Sequence, residues 1–139
     1  MSAIVLICAT LALGDGDSGW CHRKGAESVE IRLAGADAGE VAPYRRCQRQ
    51  PRIWACSPIA REFGPIAGRR ARQLGASGGR CTITGRDQYR REVVICTVNG
   101  RDLGGQLVRE GLAISATNYG DRYAAEQRAA QQEKRGVWR

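Results

Sequence analysis

The sequence predicts an α+β fold in which a small β-barrel is combined with helices. Three observations lead to this prediction. Strand-like segments separated by glycine-rich turns fill the first part of the 139-residue chain, helical periodicity follows them, and a second pair of strands precedes two more helical segments. A length of 139 residues suits one domain, residues 1–139. A barrel is a natural way to close a short sheet.

The strands are predicted from apolar runs and from alternation of polar and apolar side chains. Four segments have these patterns and are bounded by turn residues: 4–13, 28–33, 80–84 and 92–98. Acidic, glycine-containing turns follow the first strand at residues 14–19 and join the last two strands at residues 85–91. Residues 41–58 have no periodicity and contain two cysteines, which predicts an irregular loop closed by a disulfide.

Three helices are predicted. The first has apolar residues at helical spacing, with arginines largely on its other side: Ile59, Phe63, Ile66, Ala67, Ala71 and Leu74. A short helix is expected over residues 103–110, ended by Gly111. The last is expected from about residue 121 to 134, with Asp121 as its N-cap.

Charge and histidine content restrict the chemistry. The chain has 22 Lys and Arg against 14 Asp and Glu, a formal net charge of +8, which favours nucleic acid ahead of a membrane surface as partner. His22 is the one histidine, so a histidine metal cluster or a histidine-activated nucleophile is disfavoured. If the protein is a hydrolase, carboxylates and arginines must perform the reaction.

The six cysteines include no CxxC pair, which favours disulfides over a zinc site. The arrangement of strands and turns suggests three pairs: Cys8 with Cys21, Cys47 with Cys56, and Cys81 with Cys96. Disulfides point to a secreted or periplasmic protein. The alternative is a cytosolic protein with reduced, buried cysteines.

No export signal is evident, and the apolar run 3–13 is too short for a membrane helix, so we expect no membrane association.

Three clusters of charged residues lie in or beside predicted turns. They are Asp15-Gly16-Asp17, then Arg32 followed by Asp37 and Glu40, and then the segment 87–91, Asp-Gln-Tyr-Arg-Arg. Each cluster alone is more often a solvated turn than a functional site.

Taken in order, these clusters resemble the staphylococcal-nuclease-like (thermonuclease) family. The matching text is Asp15-Gly16-Asp17-Ser18, residues 31–40, residues 87–91, residues 107–113 (LVREGLA), the tyrosine-containing segment 119–123 and the terminal RGVW at 135–138. The resemblance implies a five-stranded OB-type β-barrel with three helices. It also implies Ca²⁺-dependent cleavage of DNA or RNA phosphodiester bonds with little sequence preference.

The resemblance also implies roles for individual residues. Carried over residue by residue, Asp17 and Asp37 are metal ligands, Glu40 is the general base towards a water held near the metal, and Arg32 and Arg91 contact the reacting phosphate. These residue types suit the chemistry, because Ca²⁺ takes oxygen ligands and planar guanidinium groups match the charge that grows on phosphoryl oxygens.

Tyr89 and Tyr119 are candidates for stacking on bases.

Two positions depart from the family pattern. Gly39 replaces a proline and is expected to free the backbone between Asp37 and Glu40, and Arg90 replaces a glycine and would be strained at positive φ. The alternative to an active enzyme is therefore a catalytically degenerate barrel that binds nucleic acid or another protein.

A basic loop follows Glu40 and contains Arg45, Arg46, Arg49 and Arg52. It either contacts a nucleic-acid backbone or is only a solvated face. We expect a monomer.

Overall fold

The computed structural model describes residues 3–116 and 120–139. The strands are β1 (Val5–Cys8), β2 (Thr10–Leu13), β3 (Ser18–His22), β4 (Val29–Leu33), β5 (Ala36–Asp37), β6 (Gly79–Arg86), β7 (Glu92–Val98), β8 (Arg101–Asp102) and β9 (Ile114–Ser115). The α-helices are α1 (Arg45–Arg49), α2 (Pro58–Gly75), α3 (Leu103–Arg109) and α4 (Ala124–Gln132). Short 3₁₀ helices span Trp54–Cys56 and Gly136–Trp138.

The main sheet closes on itself through its first strand. β1 and β2 are separated by the single residue Ala9 and act as two halves of one strand. The strand order in the sheet is β1-β6-β7-β4-β3-β2. At its two ends, β1 pairs antiparallel with β6 and β2 pairs antiparallel with β3, whereas β4 and β7 in the middle are parallel. Because β1 and β2 are halves of one strand, the two ends of the sheet meet, and the sheet is a barrel of five strands. The predicted OB-type α+β fold is confirmed.

The barrel is filled by aliphatic side chains and braced by disulfides. Fully buried side chains include Leu11, Leu13, Ile31 and Val94. The structure contains the three expected bonds, Cys8–Cys21, Cys47–Cys56 and Cys81–Cys96. The first and third join barrel strands across sequence separations of 13 and 15 residues, and in the chain-entropy model each contributes about 3 kcal/mol to stability.

The buried face of α2 differs from the prediction. It is made of small residues: Ala60, Gly64, Ala67, Gly68, Ala71 and Gly75. Ile59 and Phe63 are only half-buried, and Ile66 is exposed. The reason is close approach of backbone: a Cβ at Gly64 would lie 2.8 Å from the Gly39 carbonyl oxygen, and a Cβ at Gly68 would lie 2.6 Å from that of Gly14. Large side chains fit only at the edges of this contact.

Two further elements differ from the prediction. The loop over residues 41–58 contains the five-residue helix α1, in addition to the three predicted helices. The last helix begins at Ala124 with Tyr123, and not Asp121, as its N-cap. Tyr123 is buried, and its hydroxyl donates a hydrogen bond to Asp102 Oδ1 at 2.7 Å.

Over residues 3–116 and 120–139, no helix has the length and apolar character needed to cross a bilayer.

Gly39 is held tightly, contrary to the expectation that it frees the backbone. It is buried, and a Cβ at this position would lie 1.8 Å from the Ala60 carbonyl oxygen of α2. The next residue, Glu40, donates its backbone N–H to the Ala55 carbonyl at 2.9 Å. Packing therefore replaces the restraint that a proline would supply.

The substitution Gly39→Ala is expected to destabilise the protein by about 1–3 kcal/mol, because the added methyl group forces residues 38–40 away from α2. Urea unfolding measures this change. The matched control is Gly85→Ala in β6, where a Cβ would meet no atom within 4 Å. Equal stability of the two variants would contradict the packing argument.

Candidate active site

Two acidic segments meet beside the N-terminal half of α2. Asp15 and Asp17 lie in the tight turn between β2 and β3, which is closed by a hydrogen bond from Gly14 N to Ser18 O at 3.0 Å. Asp37 ends β5. The segments are joined directly, since the backbone N–H of Ala38 donates to Asp17 Oδ2 at 2.8 Å. The turn and β5 therefore hold the carboxylates in a fixed relation.

Arg32 on β4 bridges the two proposed metal ligands. Its Nη1 lies 2.6 Å from Asp17 Oδ2, and its Nη2 lies 3.4 Å from Asp37 Oδ1. Burial works against the charged guanidinium, but the attraction of Asp17 and Asp37 outweighs it and raises the pKa of Arg32. Arg32 is therefore a permanently charged group at the centre of the carboxylate cluster.

Glu40 belongs to the same cluster through a second arginine. Arg46 on α1 places Nη1 3.8 Å from Asp37 Oδ1 and 3.9 Å from Glu40 Oε1. The side chain of Glu40 is 16% exposed, so it can still reach water. The structure thus brings together Asp17, Asp37 and Glu40, three of the residues predicted from the sequence.

The carboxyl groups of this cluster resist ionisation. Burial raises the pKa of Asp15 to about 6, and the nearby charge of Asp17 adds to the shift. Burial, followed by repulsion from Asp17, also raises the pKa values of Asp37 and Glu40 above their ordinary range. Such a cluster favours a bound cation, since a cation removes the repulsion that raises these pKa values.

The turn 87–91 faces this cluster and presents Arg91. Asp87 organises the turn: its Oδ1 accepts from the backbone N–H groups of Tyr89 and Arg91, and its Oδ2 accepts from Arg91 Nε at 2.8 Å. Partial burial opposes ionisation of Asp87, but the hydrogen bonds from Arg91 outweigh it and lower the pKa. Arg90 has φ of 66°, the strained conformation foreseen for this position, and its side chain is exposed.

A cleft of about 1240 Å³ connects the two sides of the site. Arg32, Asp37, Glu40, Tyr89 and Arg91 all line it, together with Asp15 and residues of α1. Tyr89 is 55% exposed, and the Arg91 guanidinium lies 5.4 Å from the centre of its ring. Arg90 does not line the cleft, so Arg91 is the arginine of this turn that faces it. The other stacking candidate, Tyr119, lies outside the described residues.

Sequence reasoning gave no specific role to three residues at the site. Asp15 was noted only as part of the first motif, Arg46 only as part of a basic loop, and Asp87 only as a turn residue. A signal existed for Asp87, because an Asp side chain in a turn often accepts a hydrogen bond from the backbone N–H two residues on. No sequence signal existed for Arg46, whose position depends on how α1 packs.

The donor set suits a hard divalent cation. Asp17 and Asp37 offer carboxylate oxygens, and the other positions around Ca²⁺ would be filled by water and phosphate oxygens. Within residues 3–116 and 120–139, no group of three or more His, Cys, Asp or Glu residues is placed to hold a metal ion.

A comparison with known proteins identifies the family of the chain. A protein-family model described as Staphylococcal nuclease homologue matches residues 30–139, which is most of the chain. Curated proteins gave no match to this sequence. The family match begins after Asp15 and Asp17, so the evidence that links this first motif to the rest of the site is the contact with Arg32 and Ala38.

The substitution Asp15→Asn is expected to stabilise the metal-free protein at neutral pH, because it removes one charge from a crowded, buried cluster. We expect a gain of about 1–2 kcal/mol, less than the full pKa shift implies because the side chain is partly exposed. Thermal unfolding in a chelator measures it, with Asp121→Asn at an exposed position as the control. Added Ca²⁺ should then raise the Tm of the wild type more than that of the variant. A less stable Asp15→Asn protein would contradict the repulsion argument.

The substitution Asp87→Asn is expected to destabilise the turn 87–91 by about 1–3 kcal/mol, since hydrogen bonds to a charged acceptor are lost. Because the folded pKa is lowered, the contribution of Asp87 is complete above the ordinary aspartate range. It disappears as the pH falls through the lowered value. Denaturant unfolding at several pH values should show the difference from wild type shrinking in acid. A difference that is constant with pH would show that the charge of Asp87 plays no part.

Proposed function

Because the chain belongs to the staphylococcal nuclease homologue family, we propose that it is a Ca²⁺-dependent endonuclease. It would hydrolyse phosphodiester bonds of DNA or RNA with little sequence preference. The observation that carries the proposal is that the carboxylates of Asp37 and Glu40 and the guanidinium groups of Arg32 and Arg91 line a single cleft.

Asp17 and Asp37 are the residues that would hold the cation. When bound, Ca²⁺ would act as a Lewis acid that offsets the negative charge of the phosphate. Arg32 already contacts both carboxylates, so it lies where a phosphate next to them could accept its hydrogen bonds. Arg91, which also lines the cleft, would bind the same phosphate. Its guanidinium is oriented by Asp87.

Glu40 is proposed as the general base. Burial raises its pKa, which makes the ionised carboxylate a stronger base than an exposed glutamate. It would take a proton from the water that attacks phosphorus. As negative charge grows on the phosphoryl oxygens, the guanidinium groups of Arg32 and Arg91 would stabilise it.

The two departures from the family pattern are compatible with activity. Gly39 is fixed by its contact with α2, and Arg90 lies outside the lining of the cleft. The three disulfides support the further proposal that the protein works in an oxidising compartment, either secreted or periplasmic.

Substitution of the proposed base tests the mechanism. With Ca²⁺ present, Glu40→Gln is expected to lower kcat on DNA and RNA about 10²- to 10⁴-fold, because proton transfer from water is lost while the side chain keeps its size. Cleavage should also stop when a chelator removes the metal. Full activity of Glu40→Gln would exclude Glu40 as the base, and the absence of cleavage with every divalent metal would exclude the nuclease.

The neighbouring residues Arg90 and Arg91 allow a second test, in which one serves as the control for the other. Arg91→Gln is expected to lower kcat about 10²- to 10³-fold with a smaller change in KM, since the lost contact acts mainly on the transition state. Arg90→Gln removes the same charge one residue away and should leave kcat unchanged. Equal losses in the two variants would show that only net charge matters.

A further inference from the structure

The active-site cleft is larger than one phosphate requires. Its volume of about 1240 Å³ exceeds the roughly 300–1,000 Å³ of typical small-molecule sites. One wall is the turn 87–91, and another is α1. The cleft therefore has room for parts of a ligand that lie on either side of the reacting phosphate.

Charge is divided unevenly within the cleft. Asp15, Asp37 and Glu40 lie together at the reacting centre, Asp87 is paired with Arg91, and Glu30 on β4 is an exposed carboxylate that also lines the cleft. The α1 wall, in contrast, carries only arginines and glutamines towards the cleft. The acidic cluster and the basic α1 wall thus lie side by side. The acidic cluster is suited to bind a cation, and the basic wall is suited to bind an anionic chain next to it.

The three arginines of α1 have different surroundings. Arg46 is turned towards Asp37 and Glu40. Arg45 and Arg49 are exposed, line the cleft and stand one helical turn apart on one face of α1. In the part of the chain that the structure describes, neither forms an ion pair. Two exposed guanidinium groups beside a phosphodiester site are suited to bind further phosphates.

We propose that Arg45 and Arg49 form a subsite for the phosphodiester groups that flank the reacting one on a single-stranded nucleic acid. The proposal rests on the nuclease function proposed above. A single strand is favoured because Tyr89, which lines the same cleft, is a largely exposed ring on which an unpaired base can stack. Such a subsite would favour the binding of chains over that of mononucleotides.

The disulfide Cys47–Cys56 holds the subsite in place. A helix of five residues is unstable alone. Cys47 is the buried residue of α1, and its partner Cys56 lies directly before Ser57, the N-cap of α2. At the other end, the ring of Tyr44 packs against Arg61 of α2 at 4.5 Å. These two contacts attach α1 to α2, so the arginines are positioned before the ligand binds.

The test is equilibrium binding of fluorescent single-stranded oligonucleotides in chelator, with DNA and RNA of about 12 nucleotides and a dinucleotide for comparison. The variant Arg45→Gln/Arg49→Gln should weaken binding of the longer ligand roughly 10- to 30-fold near 0.1 M salt. It should also reduce the slope of log K against log salt by about 1.4. Dinucleotide binding should not change, because a dinucleotide reaches only the reacting centre.

The control variant Arg101→Gln/Arg128→Gln removes the same charge at exposed positions on β8 and α4, which do not line the cleft. It should bind like the wild type. The variant Cys47→Ser/Cys56→Ser should lose affinity for the longer ligand and keep the barrel, as judged by circular dichroism. Equal losses in the two arginine variants, or a matching loss with the dinucleotide, would overturn the subsite.

Failure of the subsite and failure of the nuclease give different results. Wild-type protein that binds the longer ligand through Arg45 and Arg49 but cleaves nothing with Ca²⁺ supports the subsite and overturns the nuclease. Wild-type protein that cleaves, with KM for the longer ligand unchanged in Arg45→Gln/Arg49→Gln, overturns the subsite and leaves the nuclease in place.

Discussion

The contact between α2 and two backbone segments fixes the geometry of the whole site. Gly64 allows residues 39–40 to approach the helix, and Gly68 allows the turn at Gly14 to approach it one turn further on. Between these points, a Cβ at Gly16 would lie 3.0 Å from the Ala67 methyl group. The segments that carry the carboxylates therefore both pack directly on a helix face of glycine and alanine, where they also contact each other. A larger residue on this face would move one segment relative to the other.

This arrangement is obtained at a cost in stability that the rest of the fold offsets. Burial, and after it repulsion between the carboxylates, opposes their ionisation, as the raised pKa values of Asp15, Asp37 and Glu40 indicate. Two disulfides across the barrel and the tightly packed helix face hold the segments in spite of this repulsion. Functional sites are commonly strained in this way, with the compensation located elsewhere in the structure.

The sequence was sufficient for the fold because its signals were local and in a recognisable order. Strand alternation, the turn residues and the spacing of the cysteines each depend on neighbours in the chain. The buried face of α2 was predicted only in part, for the opposite reason: Ala67 and Ala71 are buried, but Ile66 is exposed. Apolar periodicity assigns large residues such as Ile66 to the interior, but here the neighbouring surface is backbone, which only glycine and alanine can approach.

The sequence by itself determined which chemical groups this protein can use: carboxylates and arginines, with a single histidine and six cysteines. The family resemblance already favoured Arg91, and the tertiary structure decided how each arginine is positioned at the cleft. Arg91 lines it and Arg90 does not, because the turn gives Arg90 a positive φ and directs its side chain to solvent. Arg46 reaches Glu40 because α1 is fixed by a disulfide and by its packing on α2. These positions depend on contacts between segments distant in sequence, which no local pattern encodes.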